Sequence, residues 1–174
     1  MEARLREIEA NLLHKQLDLS GVSLWDTTTK TWRPLSVPPA KVYVVNLWSV
    51  HCQPCIAEMP QFARIVQGWK RTPEVQFLFI ADPPRETEAE DVERFWQAPP
   101  VELPAVMPER STTERIRNIL GVTTEPLTLL LDEHRIVRQV FAGTIGTRPI
   151  GTAIEQLLSA VRLTAPSGRG RAVH

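Results

Sequence analysis

Hydrophobic positions along the chain fall into two periods, helical and strand-like, that alternate at short intervals. Leu5, Ile8, Leu12 and Leu13 recur at helical spacing among charged residues, which predicts a short amphipathic helix lying on the domain. Between Asp18 and Pro39, β-branched and aromatic residues flank a polar stretch, the pattern of a small hairpin that Pro38 and Pro39 end. Val42 to Trp48 and Val75 to Ile80 are continuous apolar runs of strand length, as expected of strands covered on both faces, and the first belongs at the sheet centre. Between them Ile56, Met59, Ala63, Val66 and Lys70 trace one helical stripe over Gln53 to Lys70, with Pro60 inside it as a kink. Strand, helix and strand form a βαβ unit, whose parallel strands imply a right-handed crossover.

The second half continues in the same style. Glu86 to Trp96 reads as an acidic amphipathic helix with Ala89, Val92, Phe95 and Trp96 on one face, followed by a proline-bounded strand at Leu103 to Met107. Ser111 to Glu114 has the form of a capping box opening a helix through Leu120 that Gly121 stops. Leu127 to Leu131 is a third apolar run, turning at Asp132 to His134 into a partner strand at Arg135 to Phe141, where Arg135 and Arg138 are expected to be exposed. Ile150, Ile154, Leu157, Leu158 and Val161 mark a final helix. The pattern divides the chain into an N-terminal helix over 1–18, a domain over 19–163, and a tail over 164–174 expected to be disordered.

Composition narrows the function classes. The 174 residues carry twenty Lys plus Arg against twenty Asp plus Glu, so the clustered positive charge of a nucleic-acid or anionic-membrane binder is missing. No run approaches the roughly 18 apolar residues of a membrane-spanning helix, and the first residues lack the apolar stretch of a signal peptide, so neither a span nor an export signal is expected. Two cysteines are too few for a disulfide scaffold or a structural zinc site.

Those cysteines form Cys52-Gln53-Pro54-Cys55, at the point where a buried strand hands over to a helix. At a helix N-terminus the first cysteine faces unpaired backbone N–H groups and the positive end of the macrodipole, which stabilise a thiolate. Cys52 is therefore the candidate nucleophile. Cys55, one turn on and on the same face, is placed to resolve a mixed disulfide. Pro54 suits a first helical turn, where no N–H is needed.

With Val44-Val45-Asn46-Leu47-Trp48, the Cys52–Cys55 motif, Glu58-Met59-Pro60 and Gly121 through Pro126 to Asp132, the sequence resembles the thioredoxin superfamily, and within it the TlpA/ResA-like thiol-disulfide oxidoreductases. The resemblance spans Leu19 to Val161. It implies an α/β thioredoxin fold, a central mixed sheet flanked by helices, with an N-terminal hairpin and a helix-strand insertion after the second core strand. It also implies a cis bond before Pro126, with Pro126 and Glu125 lining a substrate site, and an acid, Glu58, placed to take the proton of Cys55. Glu58 has a second reading, as a first-turn acid interacting with the helix dipole. Asn46 stands where thioredoxin proper has a buried aspartate, and His51 stands where the family usually has Trp. His51 either tunes the Cys52 thiolate from the rim of the substrate site or is a solvated loop histidine. Trp48 belongs in the core or beside the site.

The activity implied is exchange of the Cys52–Cys55 dithiol with protein thiols and disulfides, as a reductant served by an upstream redox partner, in a monomer with no metal or organic cofactor. The resemblance places it in the periplasm or elsewhere outside the cytoplasm. The competing reading is a copper chaperone of the same fold, with His51, Cys52, Cys55 and a distant His134 as soft ligands. Haem attachment would need His directly after the second cysteine, where Ile56 stands. A purely structural disulfide closing so short a loop would contribute little.

Overall fold

Alternation along the interior strands builds a sheet with a separate apolar core on each face. A computed structural model describes residues 2–164 apart from 21, 27–28, 30, 35–36, 82–90, 92–93, 96, 99–100, 102, 104, 109, 122–123 and 147–149. Its elements run α1 (Glu2–Leu12), β1 (Val22–Asp26), β2 (Thr31–Pro34), β3 (Val42–Trp48), α2 (Gln53–Trp69), β4 (Val75–Ala81), β5 (Ala105–Pro108), α3 (Arg110–Leu120), β6 (Leu127–Asp132), β7 (Val137–Ala142) and α4 (Ile150–Thr164). Seven strands form one mixed sheet in the order β2-β1-β5-β4-β3-β6-β7. The β3–β4 and β4–β5 pairs are parallel and the other pairs antiparallel. As expected, β3 is an interior strand joined to its parallel neighbour through α2, and β1 with β2 forms the N-terminal hairpin.

Because successive side chains of a strand point to opposite faces, β3 and β4 feed both cores. Val42, Val44 and Trp48 join Val75, Phe77 and Phe79 on the face covered by α2 and α4, where Met59, Phe62, Ile154 and Leu158 meet them. Phe62 and Phe79 pack edge to face with ring centroids 5.1 Å apart, a favoured aromatic geometry. Tyr43, Val45, Leu78 and Ile80 face the other way, against Ile8 and Leu12 of α1 and Ile116 and Leu120 of α3. α1 thus packs on the domain through its apolar stripe, although Leu13 stays more than a third exposed at 38%. Lys15 donates from Nζ to the carbonyls of Ile119 and Leu120 at 2.8 and 3.1 Å, satisfying the C-terminal end of α3.

Several expectations shift. The buried residues of α2 are Cys55, Glu58, Met59 and Phe62, with Ile56, Ala63, Val66 and Trp69 half-buried and Lys70 exposed beyond the helix end. Phe62 is the bulkiest buried side chain of the helix, and the buried face turns toward it. The helix runs as one element through Pro60. α3 begins at Arg110, which puts Ser111 inside the helix and not at its cap, while Gly121 ends it at φ +67° with its N–H on the Arg117 carbonyl. The fifth strand is Ala105–Pro108, two residues later at its start than predicted. β7 starts at Val137, because Arg135 turns the chain at φ +61° and lies 5.9 Å from the Tyr43 ring centroid; Arg138, 39% exposed, is paired with Asp132. Residues 91, 94–95 and 97 of the insertion are helical; the rest of the predicted 86–96 helix, with Ala89, Val92 and Trp96, lies outside the described residues, as does the tail from 165 on.

Candidate active site

The parallel strand β3 ends at Trp48, and after the three residues Ser49 to His51 the chain enters α2 with Cys52 as its N-cap. The turn is held by the Cys52 N–H on the Ser49 carbonyl at 3.1 Å and the Ile56 N–H on the Cys52 carbonyl at 3.1 Å. Cys52 and Cys55 are joined as a disulfide with their Cα atoms 5.2 Å apart. The Cys55 N–H donates to Cys52 Sγ at 3.2 Å, so the sulfur fills the place that a capping oxygen takes at other helix starts. Gln53 and Pro54 occupy the first two helical positions, where Pro54 forfeits no hydrogen bond.

The two sulfurs differ in access. Cys52 is half-buried at the helix tip, whereas Cys55 is 4% exposed and belongs to the core cluster of Trp48, Met59 and Phe62. Trp48 is fully buried and meets Phe95 of the insertion with ring centroids 5.2 Å apart, which resolves its two readings in favour of the core. Asn46 is buried as well, and its Nδ2 donates to Thr128 Oγ1 at 3.0 Å across the β3–β6 pair.

β6 supplies the opposite wall. The Glu125–Pro126 bond at its start is cis, and the Pro126 carbonyl accepts from the Gly143 N–H at 2.9 Å. Glu125, half-buried, brings a carboxylate oxygen to the disulfide: this oxygen, Cys52 Sγ and Cys55 Sγ all lie within 4.8 Å of one another. Among the described residues this is the cluster with spacing suited to a metal ion. His134 is not part of it, since it follows the far end of β6, a strand length of roughly 17 Å away.

Glu58 lies in the second turn of α2, 7% exposed, and its Oε1 accepts from the Ile145 N–H. It is too far along the helix, and too buried, to be the first-turn surface acid of the simpler reading. Gln61 Nε2 donates to the Gly146 carbonyl at 2.7 Å, so α2 grips the segment after β7 through two side chains. Sequence reasoning did not find Ile145 or Thr128 as partners, because each contact joins elements distant in the chain. His51 is exposed on the rim, with Nε2 3.7 Å from Asp91, which also pairs with Arg94 at 2.8 Å.

A mixed sheet carrying a helix-capping CxxC disulfide opposite a cis-proline is the thioredoxin fold, and the chain has it. No protein-family model and no curated protein matches the sequence. Solved structures do. A thioredoxin-family thiol:disulfide interchange protein from Chlorobium tepidum is similar at 19% identity and a TM-score of 0.59, over 84% of this chain and 97% of that one. A thioredoxin-like protein in its oxidised form gives 16% identity and a TM-score of 0.62, over 86% and 97%. The exposed lipoprotein thioredoxin of Streptococcus pneumoniae gives 17% and 0.58, over 79% and 97%. Among the described residues no helix is long and apolar enough to cross a membrane.

Proposed function

We propose that the protein is a thiol-disulfide oxidoreductase that reduces disulfides in protein substrates outside the cytoplasm. The observation that carries this reading is the asymmetry of the pair: a half-buried sulfur at the positive end of α2 and a buried one a turn behind it. In the dithiol form, the Cys55 N–H and the helix terminus stabilise a Cys52 thiolate. The thiolate attacks one sulfur of the substrate disulfide, forming a mixed disulfide and expelling the other substrate sulfur as a thiolate. Cys55, deprotonated with Glu58 as the acceptor, then attacks Cys52 Sγ. The second substrate thiolate leaves, both substrate sulfurs take up protons, and the Cys52–Cys55 disulfide is restored. A dithiol partner upstream returns the protein to its reduced form. Pro126, Glu125 and His51 border the attacking sulfur on the substrate side. The likeness to an exposed lipoprotein thioredoxin supports an extracytoplasmic setting.

The test is a pair of cysteine variants assayed with a protein disulfide and excess dithiol donor. Cys52→Ser abolishes turnover, and Cys55→Ser accumulates a covalent mixed disulfide visible by non-reducing electrophoresis and mass. Turnover surviving in Cys52→Ser would sink the mechanism.

A further inference from the structure

Glu58 and Gln61 stand three positions apart on α2, so they are neighbours along one side of the helix, and both reach the same short piece of chain. The Ile145 N–H donates to Glu58 Oε1, and Gln61 Nε2 donates to the Gly146 carbonyl at 2.7 Å. That piece is jointed at both ends. Gly143 at φ +75° and Gly146 at φ +51° lie in the left-handed region on either side of Thr144 and Ile145, where a residue without Cβ turns freely. The sheet fixes the first joint: Ala142 pairs with Leu127 and bonds Glu9 Oε1 through its N–H at 3.2 Å, and the Gly143 N–H rests on the Pro126 carbonyl. Gln61 holds the second. Between the joints, Ile145 is 1% exposed and belongs to the same core cluster as Cys55.

In the resolving step the Cys55 thiol gives its proton to the Glu58 carboxylate. The thiolate left behind bonds to Cys52 Sγ, and the substrate sulfur departs with the electron pair of the broken bond. A buried carboxylate stays ionised where hydrogen bonds stabilise the anion, and it must be ionised to take that proton. We infer that Gln61 is a positioning residue for resolution: by pinning Gly146 it keeps the Ile145 N–H aimed at Glu58. Attack by Cys52 does not use this contact, because the Cys52 thiolate draws on the Cys55 N–H and the helix terminus, and Pro126 is held through Gly143. The inference rests on the reading of Glu58 as the proton acceptor.

The experiment mixes the reduced full chain with an excess of one peptide disulfide, with acid quenching and mass analysis. It yields a second-order rate constant for formation of the mixed disulfide and a first-order one for its resolution, in wild type, Gln61→Met, Glu58→Gln and the double variant. Met keeps the length of the side chain and removes the donor, at a position only half-buried. Gln61→Met is expected to resolve about fivefold more slowly, which corresponds to about 1 kcal/mol for one neutral hydrogen bond, with attack within about twofold of wild type. Glu58→Gln is expected to slow resolution by about a hundredfold. In that background Gln61→Met should change resolution by less than about twofold, since the group it acts through is gone. With Glu58→Gln slow, any of three results overturns the inference and leaves the acceptor reading intact: unchanged resolution in Gln61→Met, equal slowing of attack and resolution, or a fivefold effect that persists without Glu58. Resolution as fast in Glu58→Gln as in wild type overturns the acceptor reading and the inference with it.

Discussion

Replacing Asp132 by Asn tests how the β6–β7 hairpin that carries Pro126 and Glu125 is locked. Asp132 is buried, and its Oδ1 accepts from the His134 N–H at 2.9 Å and the Ile136 N–H at 3.1 Å, while Oδ2 accepts from Arg138 Nε at 2.7 Å. Burial opposes ionisation, but the hydrogen bonds from Ile136, Arg138 and His134 outweigh it and hold the carboxyl below its usual range. Asn keeps the shape and the two backbone partners, and loses the charge assistance and the Arg138 pair. A hydrogen bond to a charged group contributes about 1.5–3 kcal/mol against about 0.5–1.5 for a neutral one, and Arg138 is partly solvated, so the expected loss is about 2–3 kcal/mol at pH 7. A depressed folded-state value means the contribution is fully present above the ordinary carboxyl range near ~4 and fades as pH falls through the folded-state value. Urea unfolding of wild type and variant across pH 7 to 2.5 should show curves a constant distance apart above about pH 5 that draw together in acid. A difference under about 0.5 kcal/mol at neutral pH, or one that stays constant into acid, would refute the reasoning.

Two further substitutions probe the cores that hold the cysteine helix and its opposite face. Phe62→Ala removes a side chain 1% exposed that meets Phe79 edge to face, and should cost about 3–5 kcal/mol in urea unfolding of the oxidised protein; a loss under about 1.5 kcal/mol would mean the α2 face repacks freely. Lys15→Met leaves the carbonyls of Ile119 and Leu120 without their ammonium and should cost about 1 kcal/mol, read as a lowered urea midpoint at unchanged slope; no shift would show that water replaces the cap without loss.

What the sequence makes legible follows from how local each signal is. Val42 to Trp48 and Leu127 to Leu131 are readable as interior strands because burial on both faces leaves no alternating polar face, only the paired Asn46 and Thr128, and the structure pairs them as neighbours. The helix start at Cys52 is readable because a buried strand, a short loop and Pro54 together fix it. The face of α2 is harder: Ile56 and Phe62 are both apolar, and which turns inward depends on Phe79 across the interface. Arg135 is misplaced in a strand since nothing local announces a left-handed turn at an arginine; the two N–H groups gathered by Asp132 impose it. The bond from Ile145 to Glu58, 87 residues apart, has no sequence signature. Glu125 at the disulfide is legible only through the resemblance that marks Pro126, because a Glu-Pro pair by itself carries no message.

Cys55 shares its packing with Trp48, Phe62 and the α4 side chains, so the redox couple and the folding equilibrium are two edges of one thermodynamic square. Around that square, any substitution that weakens the dithiol form more than the disulfide form lowers the reduction potential by the same free energy, with about 30 mV for each 1.4 kcal/mol. The potential is therefore a property of the whole α2–α4 face. Drift at a core position away from the disulfide can shift that potential in either direction, without altering a single residue at the mouth of the site.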